Sequence, residues 1–222
     1  MFVDNALKIA EDAMNEIQPE LTQKFKSLIS CLIEEPSLAP NLRSSRLIIG
    51  SEGYILKLAN NFCMSRMLRA PSTPSTIPDE MVSVILNSYY SIPVHDLDRA
   101  QHLHMISMGA ENIIGDLLER YIASILEPRG WIWCSGSTVK AVDFIKPATN
   151  FSNVRLLQIK NRDNSENSSS SAIRWGTSIE KWHRTFSRTG CTNWKNFPDV
   201  EMSRLLSEDN FILFVKDYLT RV

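Results

Sequence analysis

A chain of 222 residues, 43% hydrophobic and 22% charged, has the make-up of a water-soluble globular protein: one large domain, or a compact core with a helical appendage. No apolar run reaches the roughly 20 residues of a membrane span, Met1 to Asn5 lack the basic and apolar parts of a secretory signal, and cysteines at 31, 63, 134 and 191 are too scattered for a disulfide framework or a CxxC pair, so a cytoplasmic protein with reduced thiols is expected. The net charge of −1 hides an uneven distribution: residues 139–196 carry ten Lys or Arg against four Asp or Glu, a local +6 in a chain that is otherwise −7, a footprint suited to a polyanion.

The first half reads as helical. Ala6, Ile9, Ala10, Ala13, Met14 and Ile17 recur at helical spacing before Pro19, and residues 21–33 form a second amphipathic segment ended by Pro36. A third helix is expected over 53–68, with Leu56, Leu58, Phe62 and Met67 for burial. Residues 71–78 are a linker, because dense prolines cannot continue a helix, and Pro78 suits the first turn of another helix through Tyr89. Over 110–126 a wide apolar face runs from Ile113 to Ile125, and Pro128 stops it. Short β-branched and aromatic runs then mark strands at 131–134, 139–145, 154–160 and 211–215. A helix is expected at 175–186, where Trp175, Ile179, Trp182 and Phe186 share one face and Thr177, Lys181, Arg184 and Arg188 lie nearly opposite. The order predicts an α/β fold, a mixed central sheet flanked by helices with a helical N-terminal region.

Two strands carry the chemistry. Residues two apart on a strand share a face, so Leu156, Gln158 and Lys160 point one way and Leu157 and Ile159 the other. A strand over 139–145 paired alongside would bring Asp143 near Gln158 and Lys160. Phosphodiester hydrolysis needs a doubly charged, pentavalent transition state neutralised and a hydroxide-like nucleophile supplied. A carboxylate and a side-chain amide can hold magnesium, which keeps several waters of its own, and a lysine beside it can steady the attacking water or the developing charge. Taken singly, Asp143 could instead pair with Lys140 or Lys146, and Lys160 could be a solvated strand end. The four histidines (95, 102, 104, 183) offer no zinc-like set, and neither a Walker loop nor a Gly-x-Ser-x-Gly elbow occurs.

Asp143 with Gln158-Ile159-Lys160 resembles the PD-(D/E)xK nuclease signature, with Val142 in place of the proline and Gln158 in place of the second acid. The residues from Asn161 to Arg174, then Lys181-Trp182 and Asn193-Trp194-Lys195-Asn196-Phe197-Pro198, resemble type II restriction endonucleases of the SinI/AvaII-like group over roughly residues 105–200. The resemblance implies a restriction-endonuclease-like core over 105–222, behind a helical region over 1–104 that serves dimerisation or embraces DNA. It implies a homodimer making magnesium-dependent double-strand cuts in short, near-palindromic duplex sites, and it suggests a GGWCC-type site. A cognate DNA methyltransferase would be the genetic partner. Asp143 and Gln158 become magnesium ligands and Lys160 the catalytic lysine. With an amide where the family has an acid, another carboxylate is required, and nucleases of this superfamily often draw one from a preceding helix. Glu111 is the choice, spaced with Gly115, Leu118 and Ile122 on one face, the small Gly115 permitting close approach to a sheet. Glu119 is the reserve.

The polar segment from Asn161 to Ser171 follows the catalytic strand and offers donors to phosphates and base edges. Arg-to-guanine and Asn-to-adenine pairings make Arg162 and Arg174 the candidates for base contacts, with Asn161 beside them. Lys181, Arg184 and Arg188 would bind phosphates. The competing readings are a repair or structure-specific nuclease of the same fold, a DNA-binding module whose Gln158 marks a decayed nuclease site, and a helical interaction protein with no nucleic-acid role.

Overall fold

The computed structural model describes residues 1–42, 47–148, 153–163 and 178–222. Helices α1 (Ala6–Ile17), α2 (Thr22–Glu34) and α3 (Glu52–Met64) form the first layer, each ending near a proline or a polar turn as the spacing predicts. The sheet follows, with β1 (Ile132–Trp133), β2 (Phe144–Lys146), β3 (Arg155–Arg162) and β4 (Ile179–Thr185) lying side by side in chain order. The first three strands are antiparallel, and β4 runs parallel to β3, so the sheet is mixed. The opposite layer is the long helix α5 (Leu97–Leu126), a short helix α6 (Val200–Ser203) and α7 (Glu208–Leu219).

Alternation along β3 divides its side chains between two cores. Leu156 joins Ile132, Ile145 and Ile179 beneath Phe25, Leu58 and Phe62 of α2 and α3. Leu157 and Ile159 join Trp133, Phe144 and Trp182 beneath Leu118 and Ile122 of α5 and Phe211 of α7. The α/β fold, a mixed sheet flanked by helices, is the one expected. Three of the cysteine thiols (Cys31, Cys63, Cys134) are buried, Cys191 is exposed, and all four are free. Among the described residues no helix is long and apolar enough to cross a membrane.

Two elements differ from expectation. Residues 179–185, expected within a helix, are strand β4. Ile179 and Trp182 are three apart, a spacing that puts residues on one face of a helix but on opposite faces of a strand. Here Ile179 enters the core under α1–α3 and Trp182 the core under α5, while parallel pairing with β3 satisfies the backbone. Residues 211–215, expected as a strand, lie within α7. Ser207 caps that helix by accepting from the Asn210 amide, and Glu208 and Asp209 fill its first turn. Only Phe211 and Tyr218 of α7 are buried, seven residues apart on one helical face. The second strand is also shorter than expected, since residues 139–143 form a turn with Ala141 at φ +58°.

The helix expected over 110–126 extends backward to Leu97. Its N-terminal half pairs with α4 (Glu80–Ser88), which Asp79 caps. The proline-rich linker crosses α5 at Gly109, where a Cβ would lie 2.8 Å from the Ser72 carbonyl oxygen. From residue 64 through residue 108 no side chain is buried. Residues 64–69 are tied to the body by Arg120 and Glu127, and beyond them the stretch is an arm standing off a body that contains both cores.

Candidate active site

Asp143 precedes β2 in the turn between the first two strands, and three hydrogen bonds fix it. Its amide donates to the Leu157 carbonyl (2.9 Å), its carbonyl accepts from the Cys134 amide (2.8 Å), and its Oδ2 accepts from the Ile159 amide at 2.6 Å. The carboxylate is thereby held against the middle of β3. Burial pushes its pKa up to about 6, opposed by the Ile159 hydrogen bond and the Lys160 charge.

Gln158 is 3% exposed and sits opposite Lys181 of β4, and Lys160 sits opposite His183. Lys160 is half-buried, and its charge acts on both Asp143 and a second acid, Glu119. Burial and the neighbouring Lys160 charge lower the pKa of Lys181, so the two lysines share one electrostatic neighbourhood.

Glu119 enters from α5. The indole Nε1–H of Trp133 donates to its Oε2 at 2.9 Å. Burial, and then the charge of Asp143, push its pKa up to about 8, against the Trp133 hydrogen bond. Two buried carboxylates that each raise the cost of ionising the other are a place where a divalent cation is favourable. Among the described residues no group of three or more His, Cys, Asp or Glu gathers at one point. Asp143, Glu119 and the Gln158 amide line the same cleft, and their hard oxygens could hold a magnesium ion that keeps part of its water shell.

Asp143, Gln158, Lys160, Glu119 and Trp133 line one cleft of about 1190 Å³ between the two helical layers. Its far wall is the end of α3 and the turn after it, including Met64, Ser65 and Arg69. Buried Arg120 of α5 holds that wall in place, donating to the carbonyls of Ser65, Arg66 and Met67 while its Nε binds Asp116 at 2.7 Å. Glu127 adds a second tie, accepting from Arg66 and Lys24 and from the Trp133 amide. Gly136, at φ +74°, lets the turn after β1 pass against the Asn61 carbonyl where no side chain would fit.

The structure brings Asp143, Gln158 and Lys160 together and sets Glu111 apart. Glu111 is exposed and lines an adjoining cleft of about 460 Å³ with Lys160, Asn161 and Arg162. It stands two helical turns before Glu119, about 12 Å along the axis at 1.5 Å per residue. Glu119, the reserve choice, lines both clefts and is the acid that feels Asp143. Nothing lies within 4 Å of a Cβ built on Gly115, so that glycine serves no close approach to the sheet.

The basic candidates also separate. Because 179–185 is a strand, Lys181 and Arg184 point to opposite faces rather than forming one stripe. Arg184 is bound to Glu208 and to Asn161 Oδ1, its side chain only 14% exposed, so its charge is matched internally. Arg162 is exposed at the end of β3, and Arg188 is exposed in the turn after β4. Arg174 lies outside the described residues. Asp163 accepts from the Ser187 amide and is drawn away from the centre. Lys140 and Arg69, not singled out from sequence, add cations to the main cleft.

Residues 6–221 match the family model described as SinI restriction endonuclease. The type II restriction enzyme SinI of Salmonella infantis is 51% identical over 223 residues, an alignment that takes in all of this chain and 97% of that protein. The type II restriction enzyme Eco47I of Escherichia coli is 50% identical over the same length and coverage.

Proposed function

The chain belongs to the SinI restriction endonuclease family and is a type II restriction enzyme, a site-specific deoxyribonuclease; on that premise we propose that it cuts both strands of a short, near-palindromic GGWCC-type site with magnesium, as a homodimer. The observation that carries the reading is the meeting of Asp143, Glu119, Gln158 and Lys160 in one cleft from three separate elements.

Asp143, Glu119 and the Gln158 amide would hold the metal, which when bound supplies positive charge for the phosphate oxygens and the leaving group. The chain's own groups do the rest. The Ile159 amide fixes the rotamer of Asp143, and the Trp133 indole fixes that of Glu119, so both carboxylates are oriented before substrate arrives. Lys160 presents its ammonium to the water that attacks phosphorus and to the charge that accumulates there as the P–O bond to the leaving group breaks. Lys181 adds a second cation on the same side of the sheet. Arg69 and Lys140 bind phosphates flanking the scissile one, while Asn161, Arg162 and Arg188 stand toward the duplex edge. The N-terminal helices α1–α3 form the layer against which the cleft closes. A cognate DNA methyltransferase would protect the host's own sites.

Digestion of a sequenced plasmid with magnesium or with EDTA, followed by mapping of the ends, tests the proposal. Defined fragments ending only within GGWCC sites, absent in EDTA, are expected. Nicking directed to junctions or lesions, or cuts at unrelated sequences, would overturn it.

A further inference from the structure

We propose that the exposed apolar face of the α4–α5 arm is the surface on which a second copy of this chain docks. The inference rests on the homodimeric reading above and adds where the two copies meet.

The arm reverses the usual arrangement of a helical hairpin. On α4 the polar Ser83 faces α5, where its hydroxyl bonds to Gln101, while Met81, Val84 and Ile85 are between 50% and 57% exposed. None of the nine residues of α4 is buried. A helix with most of its apolar residues outward gains little from its own fold, because only the half-buried Ser83 and Leu86 help offset its ordering entropy. The same surface continues through Ile77 in the linker and Tyr89 and Tyr90 after α4, which are 64% to 93% exposed. On α5, Leu103 and Ile106 add to it one helical turn apart. Together these side chains expose roughly 1000 Å² of mostly apolar surface, enough for the ~800 Å² per partner of a standard stable interface.

Charge selects the occupant. Residues 71–106 contain four acids (79, 80, 96 and 98) and Arg99 as their one Lys or Arg, so the arm is poorly suited to DNA. The acids lie at the N-terminal ends of α4 and α5, where helix dipoles favour them, and leave the apolar faces uncharged. A second copy fits on both counts. Two hairpins pressed together bury four helices against one another, and a two-fold pair puts one catalytic cleft on each strand of a duplex.

Sedimentation equilibrium at micromolar protein tests this, using the wild type, Val84→Ser/Ile85→Ser, and Tyr89→Lys as an independent second variant. The wild type is expected at twice 25.3 kDa. Each variant, with near-UV circular dichroism unchanged, is expected to associate about 100-fold more weakly, or worse. Amides of α4 should resist hydrogen exchange in the wild-type pair and lose that protection in the variants. A wild type that stays monomeric, or variants that remain paired, would overturn the proposal. Plasmid cutting is scored separately: a wild type that pairs through the arm without cutting sinks the nuclease reading alone, and one that cuts as a monomer sinks the dimer and this surface while the nuclease reading stands.

Discussion

The body and the arm put similar side chains to opposite use. In the body, every strand gives side chains to the two cores, and the polar residues left over at one end of the sheet make the cleft. In the arm, residues 71–108 include no buried side chain, and valine, isoleucine, methionine and tyrosine face outward. The body therefore buries its apolar faces within one chain, whereas the arm leaves an apolar face that the proposed second copy would cover. A catalytic centre wants rigid support, and the proposed one sits on strands and on the C-terminal half of α5, which the body holds. The same helix is buried scaffold in its C-terminal half and exposed in its N-terminal half. That split explains why Glu119 and Glu111, two turns apart, have such different surroundings.

Stability should show the largest contrast. Trp182→Ala removes a fully buried ring packed tilted against Trp194 and edge-to-face against Phe197 and should cost about 3–5 kcal/mol in urea unfolding. By comparison, Val84→Ser in the arm, measured at dilution where the chain is monomeric, should change body unfolding by no more than ~0.5 kcal/mol. Equal costs would mean that arm and body fold as one unit.

Next in size is the contrast within α5. Glu119→Gln should lower magnesium-dependent cleavage by about 10²–10³-fold in kcat, whereas Glu111→Gln should stay within a few-fold. The opposite ranking would move the metal to the adjoining cleft.

Helix α5 also shows how far the sequence could be read. Its apolar face over 113–125 was legible because that face is buried in the body; residues 97–109 lack such a face, and so the helical pattern starts late in the sequence. Strand β3 was legible because Leu157 and Ile159 alternate with Gln158 and Lys160. Strand β4 was not, since Ile179 and Trp182 enter different cores and their spacing mimics a helix. The dense run Phe211 to Val215 looked like a strand, although the capping signal of Ser207 with Glu208 and Asp209 pointed to α7. That Asp143, Gln158 and Lys160 meet in one cleft was legible from local pairing. Choosing between Glu111 and Glu119 depended on which turn of α5 meets the sheet, a property of packing; the one hint was the Trp133 indole, a buried donor that needs an acceptor.

A smaller effect concerns pH. Asp143, raised from 3.8 to about 6, and Glu119, raised from 4.5 to about 8, hold protons in the folded chain that the unfolded chain releases. Their contribution to stability is complete below pH 4 and disappears as pH rises through 8, so the metal-free protein should lose stability over that interval. Magnesium needs both groups ionised, and its stabilising shift in melting temperature should grow from pH 6 to pH 8.5. Glu119→Gln should remove most of the fall in stability; an unchanged slope would place that titration elsewhere. Smallest of all, Lys181→Ala should weaken duplex binding evenly across sequences and reduce the slope of log K against log salt by about 1. The same substitution in the arm's Arg99, far from the cleft, should leave that slope alone.

The most direct test of the catalytic centre compares the wild type with Lys160→Ala in magnesium, measuring duplex binding by anisotropy and cleavage by end-mapped plasmid digestion on the same preparations. The expected result is a variant that binds the cognate duplex within a few-fold of wild type and cuts at least about 10²-fold more slowly. A variant that cuts at the wild-type rate would show that the chemistry lies away from Asp143, Gln158 and Lys160.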